Sequence, residues 1–333
     1  MSVVLTRSRV SNALKCYMSY ALGRFGSVRF HSPLFVSVEP AAVCQLRCPA
    51  CPVGLRHLDV SISRDLERTM SLDVWHRVLS QIRDTAFIVQ FYFQGEPLLN
   101  KNLPQMIAEA HEAGLYTIVS TNAQALTPEL AEALVQAGLN RIIVSMDGLS
   151  DESYNAYRVG GSLEKTKAAL KWLREAKNKL QITNYHGSAD RKKLQIELQC
   201  LRLKTNEHEW AQFKREYKRL GADRLVFKTA QLYDYASGHP LMPSNPRYSR
   251  YILGPDGSYH RRKLSKRCFR VWSGAVVTTS GEVLPCCYDK AHAYAYGNIT
   301  ERPLAELFSS EKAQAFRRAA WKEQPDICKE CYK

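Results

Sequence analysis

Between Phe35 and Lys228 six short apolar runs alternate with five longer stretches of helical spacing, and this rhythm constrains the fold more than any other feature. Residues 35–39 read as a buried strand ended by Pro40. Ser71 is an N-cap for a helix whose apolar stripe is Leu72, Trp75, Val78, Leu79 and Ile82. The run from Phe87 to Phe93 is β-branched and aromatic, the composition of a strand, and Gly95 breaks it. A helix over 103–113 stops at Gly114, and a strand over 116–120 follows. Thr127-Pro128 opens a helix that Gly138 closes, and residues 141–146 form a strand with Asp147-Gly148 as its turn. Helices over 163–177 and 207–220 alternate with strands over 194–203 and 224–228. Such βα repeats predict a parallel sheet with right-handed crossovers. Periodicity alone is compatible with either an open doubly wound sheet or a partial barrel.

The rhythm ends near residue 230. Residues 231–267 hold four prolines without a sustained period and read as a linker or a loop covering a site. Residues 268–333 carry five of the ten cysteines and read as a small metal-stapled unit. Ahead of the first strand, residues 1–34 place Leu5, Val10, Leu14, Met18, Ala21, Leu22 and Phe25 at near-helical spacing. That is an amphipathic helix, expected first to pack on the fold and second to touch a membrane surface through residues 8–25. The acid-poor start also shares features with an organelle transit peptide, the third choice.

A net charge of +15 favours anionic partners without choosing among nucleic acid, phospholipid and phosphorylated substrates. Arg7, Arg9, Lys15, Arg24 and Arg29 precede any acidic residue, and Arg261, Arg262, Lys263, Lys266 and Arg267 form a second basic run. No apolar stretch is long enough for a membrane span and no secretory signal is visible, so the cysteines are expected to be reduced thiols in a cytoplasmic protein, free or peripheral to the membrane.

Cys44, Cys48 and Cys51 stand as Cys-x3-Cys-x2-Cys in the loop leaving the first strand. Three thiolates this close can meet at one metal centre. Structural zinc is normally closed by four protein ligands, so a set of three points to a cluster with one open iron. His57 offers a zinc alternative as a fourth ligand. One βα unit later stands Gln94-Gly95-Glu96-Pro97, and Ser120-Thr121-Asn122 ends the third strand. Ser145 and Asp147 end the fourth, followed by Tyr157-Arg158. Polar residues at the carboxyl ends of successive parallel strands converge on one face.

In this combination the sequence resembles the radical S-adenosylmethionine (SAM) superfamily. The resemblance implies an α/β fold built as a partial (β/α)6 barrel. It implies that Cys44, Cys48 and Cys51 hold a [4Fe–4S] cluster whose open iron takes the amino and carboxylate groups of SAM. It implies SAM contacts from Gly95, Glu96, Pro97, Ser120, Asn122, Ser145, Asp147 and Arg158, and a low-potential electron donor such as flavodoxin or ferredoxin. Two positions depart from the family pattern: Ala50 stands where an aromatic residue usually precedes the third cysteine, and Gln94 stands where the motif usually has glycine.

At the other end, Cys268-x12-Gly281-x4-Cys286, Gly297-Asn298-Ile299 and Cys328-x2-Cys331 resemble the SPASM domain, an auxiliary-cluster appendage. Gly281 allows a tight hairpin that presents Cys286. The resemblance implies a small C-terminal iron–sulfur domain with one auxiliary [4Fe–4S] cluster on Cys268, Cys286, Cys328 and Cys331. Cys287 is an alternative to Cys286, a zinc ribbon is the bland reading of the set, and Cys16 and Cys200 read as core.

The expected boundaries are an N-terminal helical segment 1–34, a core 35–230, a connecting loop 231–267 and a cluster domain 268–333. The expected function is reductive cleavage of SAM and hydrogen abstraction from an unidentified small molecule, glycan, lipid or peptide. The short stretch before the first strand argues against peptide chemistry guided by a separate leader-recognition domain. The competing class is a metal-stapled nucleic-acid binder in which Tyr248, Tyr251 and Tyr259 stack on bases, though nucleic acid is the less favoured partner. No general acid or base can be picked; Asp147, Glu197, Lys228, Tyr233 and Asp234 are candidates for cavity walls.

Overall fold

Valines and isoleucines at consecutive inward positions make the strands of this chain bury both faces, and the sheet they form sets the architecture. The computed structural model describes residues 4–23, 31–56, 69–183, 194–262, 268–329 and 331. Six parallel strands, β1 (Phe35–Val38), β2 (Ile88–Phe91), β3 (Tyr116–Thr121), β4 (Arg141–Ser145), β5 (Gln195–Arg202) and β6 (Arg224–Thr229), lie side by side in chain order. The order never reverses. A doubly wound sheet needs a switch point where the order turns back, so the topology is that of a partial barrel.

The helices cover the outside: α1 (Arg7–Leu22), α2 (Pro52–Arg56), α3 (Leu72–Ile82), α4 (Leu103–Glu112), α5 (Pro128–Gln136), α6 (Asp151–Asn155), α7 (Leu163–Thr183) and α8 (Trp210–Glu216). Their starts follow the sequence signals. Ser71 Oγ accepts from Val74 N at 3.3 Å, and Thr127 Oγ1 accepts from Leu130 N at 3.2 Å. The α3 stripe buries Val74, Trp75, Val78 and Ile82 against the sheet. One expected helix is broken: residues 204–209 form a 3₁₀ turn ahead of α8. The cause is Asn206, fully buried, whose amide donates to the carbonyls of Asp147 and Leu201 at 2.8 and 2.9 Å and tethers this turn to the ends of β4 and β5.

Residues 231–262 are more ordered than their composition predicts. They include a hairpin of β7 (Tyr251–Leu253) and β8 (Tyr259–Arg261). Leu232, Leu241, Met242 and Tyr251 pack in one apolar cluster with Leu46, Cys48, Ala50 and Tyr157, so this segment covers the cysteine loop. The expectation that its tyrosines stack on bases is not met at two positions. Tyr251 is buried, with its hydroxyl bonded to Leu232, and Tyr248 lies under the Arg202 guanidinium at 4.2 Å.

The C-terminal region continues the barrel sheet. Following α9 (Arg270–Ser273), β9 (Gly274–Val277) runs parallel to β1, with Val36 opposite Ala275. β10 (Glu282–Leu284) returns antiparallel, and β11 (Gly297–Asn298) forms the edge. Gly281 makes the expected turn at φ +88°. Helices α10 (Leu304–Ser309), α11 (Glu311–Lys322) and α12 (Asp326–Lys329) close the unit.

Helix α1 forms as its spacing predicts but docks the other way round. Its buried residues are Arg9, Asn12, Cys16 and Ser19, while Leu5, Val10, Leu14, Tyr17, Met18 and Leu22 face outward. The expected packing of the apolar stripe on the fold is therefore corrected. His57, Arg24, Phe25, Arg29, Lys263, Lys266 and Arg267 lie outside the described residues.

Candidate active site and auxiliary cysteine site

The carboxyl ends of β1 to β4 meet at a cavity rimmed by Cys44, Cys48 and Cys51. The loop that carries them is shaped by its own backbone: Cys51 N donates to Cys48 O at 3.2 Å, and Leu55 N donates to Cys51 O at 2.8 Å as α2 begins. Gly54 is required beside it, because a Cβ there would fall 2.3 Å from the Cys48 carbonyl. Burial pushes the Cys44 thiol up and the Cys48 thiol up to about 11. Cys44 Sγ accepts from Leu46 N and from the Asn122 amide, both at 3.4 Å.

The end of β2 is pressed against this loop. A Cβ on Gly95 would lie 2.2 Å from the Ala41 carbonyl, so only glycine fits, and Glu96 N donates to Val43 O at 2.8 Å. Glu96 is 2% exposed yet lines the cavity. Burial raises its pKa, opposed by hydrogen bonds. Its Oε1 accepts from Thr121 Oγ1 at 2.6 Å and Leu98 N at 3.1 Å, and its Oε2 accepts from Asn122 N at 2.8 Å. Oε1 has both acceptor sites filled and Oε2 keeps room for a further donor, so the carboxylate is fixed in place without being used up. Pro97 starts a buried 3₁₀ turn behind it.

Ser120, Asn122, Ser145 and Arg158 also line the cavity, whereas Asp147 does not. Asp147 is fully buried: its Oδ2 accepts from Arg158 Nε at 2.6 Å and its Oδ1 from Leu201 N at 2.6 Å. It sits behind Arg158, outside the cavity lining that its strand-end position predicts for it. Burial opposes the Arg158 charge, but Asp147 and Cys48 outweigh burial, and the guanidinium stays protonated. Its Nη1 lies 4.0 Å from Cys48 Sγ.

The two departures from the family pattern have structural counterparts. Ala50 offers no ring, while Tyr157, Tyr92 and Phe93 line the cavity instead. Gln94 reaches across to the C-terminal region, its amide donating to the Lys290 carbonyl at 3.0 Å. Lys290 answers by donating to the Phe93 carbonyl at 3.2 Å, with its ammonium 4.2 Å from the Phe93 ring centre. Tyr92, Phe93, Thr121 and Lys290 were not singled out from the sequence. Thr121 lay inside a noted tripeptide, while Lys290 gives no local signal.

The second cysteine set comes from four places: ahead of α9, after β10, within α12 and just after it. Two of its members share one turn, where Cys331 N donates to Cys328 O at 3.1 Å. Burial, reinforced first by Cys287 and then by Cys328 and Cys331, pushes Cys286 up to about 12, and burial, reinforced by Cys268 and Cys331, pushes Cys328 up to about 11. Cys287 also acts on Tyr92 and Lys290, and Cys286 acts on Lys290 too. Of the other wall candidates, Glu197 is buried and pairs with Arg141 at 3.5 Å, and Lys228 and Asp234 are exposed. Neither these three nor Tyr233 is among the residues lining the cysteine cavity.

All ten cysteines are free thiols, and one cavity gathers three of them beside a fixed carboxylate and a guanidinium. That donor set suits an iron–sulfur cluster with an open iron and an amino-acid ligand, and the second suits a closed cluster. Comparison with known proteins agrees. The sequence model of the radical SAM superfamily matches residues 38–193, and that of SPASM, an iron–sulfur cluster-binding domain, matches residues 268–332. The chain belongs to the radical SAM superfamily and carries a C-terminal SPASM domain. It is an enzyme whose cofactors are SAM, a SAM-binding [4Fe–4S] cluster and an auxiliary cluster.

Among its relatives is the PqqA peptide cyclase of Rhizobium meliloti (strain 1021), 26% identical over 321 residues, spanning 91% of this chain and 80% of the relative. Among solved structures, Streptococcus suis SuiB bound to the precursor peptide SuiA superposes with a TM-score of 0.64 at 13% identity, covering 97% of this chain and 75% of SuiB. BtrN in complex with AdoMet and 2-DOIA gives 0.52 at 19%, covering 90% and 93%. These two likenesses are of fold. Nothing in the comparisons supports a non-catalytic nucleic-acid binder.

Proposed function

We propose that this radical SAM enzyme modifies a peptide. The observation that carries the reading is the similarity to PqqA peptide cyclases, which extends over nine-tenths of the chain. In this reading Cys44, Cys48 and Cys51 hold the SAM-binding cluster, and Cys268, Cys286, Cys328 and Cys331 hold the auxiliary one. When bound, the first cluster and SAM supply a 5′-deoxyadenosyl radical for hydrogen abstraction.

The chain's own residues bind, orient and exclude water. Glu96, held by Thr121, Asn122 and Leu98, takes the SAM ammonium, a charge-assisted contact. Arg158, fixed by Asp147, faces the anionic end of the site. Ser120, Asn122 and Ser145 offer hydroxyl and amide groups to the ribose, and Tyr157, Tyr92 and Phe93 give the adenine an apolar wall. The 231–262 segment covers the cysteine loop and keeps bulk water from it. A low-potential flavodoxin or ferredoxin is the expected electron donor.

The test is anaerobic reconstitution with iron and sulfide, then SAM, a strong reductant and a low-mass extract of the producing cells. 5′-Deoxyadenosine and methionine are quantified. Stimulation of SAM cleavage by the extract, lost after protease digestion of the extract, is the expected result. Stimulation that survives protease digestion would overturn the peptide reading and leave a small molecule, glycan or lipid.

A further inference from the structure

Helix α1 is amphipathic with its polarity inverted, and its dock explains why. Arg9 is 1% exposed, and its guanidinium donates to the carbonyls of Val4 (2.7 Å), Arg83 (2.6 Å), Ala113 (2.7 Å) and Gly114 (2.9 Å). Arg83 and Ala113 are the C-caps of α3 and α4, so one cation satisfies the carbonyl ends of two helices and meets the negative ends of their dipoles. Asn12 donates to the carbonyls of Ser32 and Thr85 and accepts from Ser32 N. The buried face is thus spent on polar capping, and the apolar face is turned away from the protein. Leu14 is 61% exposed, Tyr17 64% and Met18 55%, with Val10 and Leu22 beside them.

At 100° per residue, Val10, Leu14, Tyr17 and Met18 lie on the arc opposite Arg9, Asn12 and Cys16. Tyr20 turns inward onto Trp272 and Trp321, and on the C-terminal region the exposed Phe269 meets it edge-on at 5.1 Å. Arg7 and Lys15 stand exposed at the stripe and on its flank, and the helix has no acidic residue. The chain as a whole carries +15.

We infer that this face of α1 lies on an anionic lipid surface, with the helix parallel to the bilayer plane. An outward apolar stripe bordered by cations, on a helix too polar on its inner side to leave the fold, is the arrangement of an interfacial anchor. No helix among the described residues is long and apolar enough to cross a membrane, so the contact is peripheral. Charge complementarity selects the occupant: a second copy of the chain would bring its own Arg7 and Lys15 against these, whereas acidic headgroups pair with them. The enzyme's site lies at the strand ends, and the inference does not depend on its substrate.

The experiment is flotation of the reconstituted holoprotein with vesicles of phosphatidylcholine mixed with phosphatidylglycerol. The comparison vesicles are phosphatidylcholine alone, and the variant is Leu14→Glu/Met18→Glu. Both side chains are exposed, so melting temperature and SAM cleavage serve as controls and should stay unchanged. The wild type is expected to float with the anionic vesicles. The variant should bind at least roughly tenfold more weakly, the loss expected from removing two inserted apolar side chains. Neutral vesicles should bind less than anionic ones, and salt should weaken the anionic case. Equal binding by wild type and variant, no binding by either, or wild-type dimerisation that the variant abolishes without any vesicle effect would each overturn the inference. Equal flotation with neutral vesicles would overturn the choice of an anionic surface.

Discussion

Cys44, Cys48 and Cys51 sit on one loop, whereas Cys268, Cys286 and the Cys328–Cys331 pair come from three separate segments, and this difference divides the labour between the two sites. Closing a short loop costs little entropy, and the first loop is already shaped by Gly54, Gly95 and its own backbone bonds. Its metal adds chemistry more than stability. The second set joins the start of α9, the β10 hairpin and α12, so its metal adds a cross-link between segments far apart in the chain. The two are then coupled through the sheet, where β9 pairs with β1, and through the Gln94–Lys290 bridge.

The largest effect expected from this contrast is on activity. Cys48→Ala should abolish 5′-deoxyadenosine formation, quantified by chromatography, while shifting the melting temperature little. Cys328→Ala should behave the opposite way on stability. It should lower the melting temperature by roughly 10 °C as metal-linked folding energy is lost, read by calorimetry of the reconstituted protein. Cys287→Ala should leave the iron content at the wild-type value, since the spacing from Gly281 makes Cys286 the ligand. Loss of iron in that variant would instead make Cys287 the ligand.

Smaller effects sharpen the boundary between the sites. Glu96→Gln should weaken SAM binding by about ten- to a hundredfold in calorimetric titration, the usual worth of a hydrogen bond to a charged group, without loss of iron. Gln94→Gly restores the residue usual in the family and removes the bond to the Lys290 carbonyl. It should cost about 1 kcal/mol in denaturant unfolding and leave both clusters in place.

Much of this was legible in the residues because the signals are local. The βα rhythm, the caps at Ser71 and Thr127, the cysteine spacing, Gly95-Glu96 and the Gly281 hairpin each depend on neighbours a few positions away. What was not legible depends on contacts across the chain. Strand order separates a partial barrel from a doubly wound sheet, and periodicity carries no strand order. The apolar stripe of α1 was visible, but its outward direction follows from Arg9 finding the carbonyls of Arg83, Ala113 and Gly114. Asp147 stood at a strand end like its neighbours Ser145 and Ser120. Only the partners Arg158 and Leu201 reveal that it works from behind the wall. Asn206 likewise breaks a regular helical pattern for a reason found only at the end of β4.

The central claim is that one chain carries two clusters of different character, the first open to SAM and the second closed by protein. Electron paramagnetic resonance of the anaerobically reconstituted, reduced enzyme tests it most directly. Two cluster signals are expected; addition of SAM should shift one of them alone, and Cys48→Ala should remove that same signal and leave the other. A single signal, or two signals of which neither responds to SAM, would contradict the account.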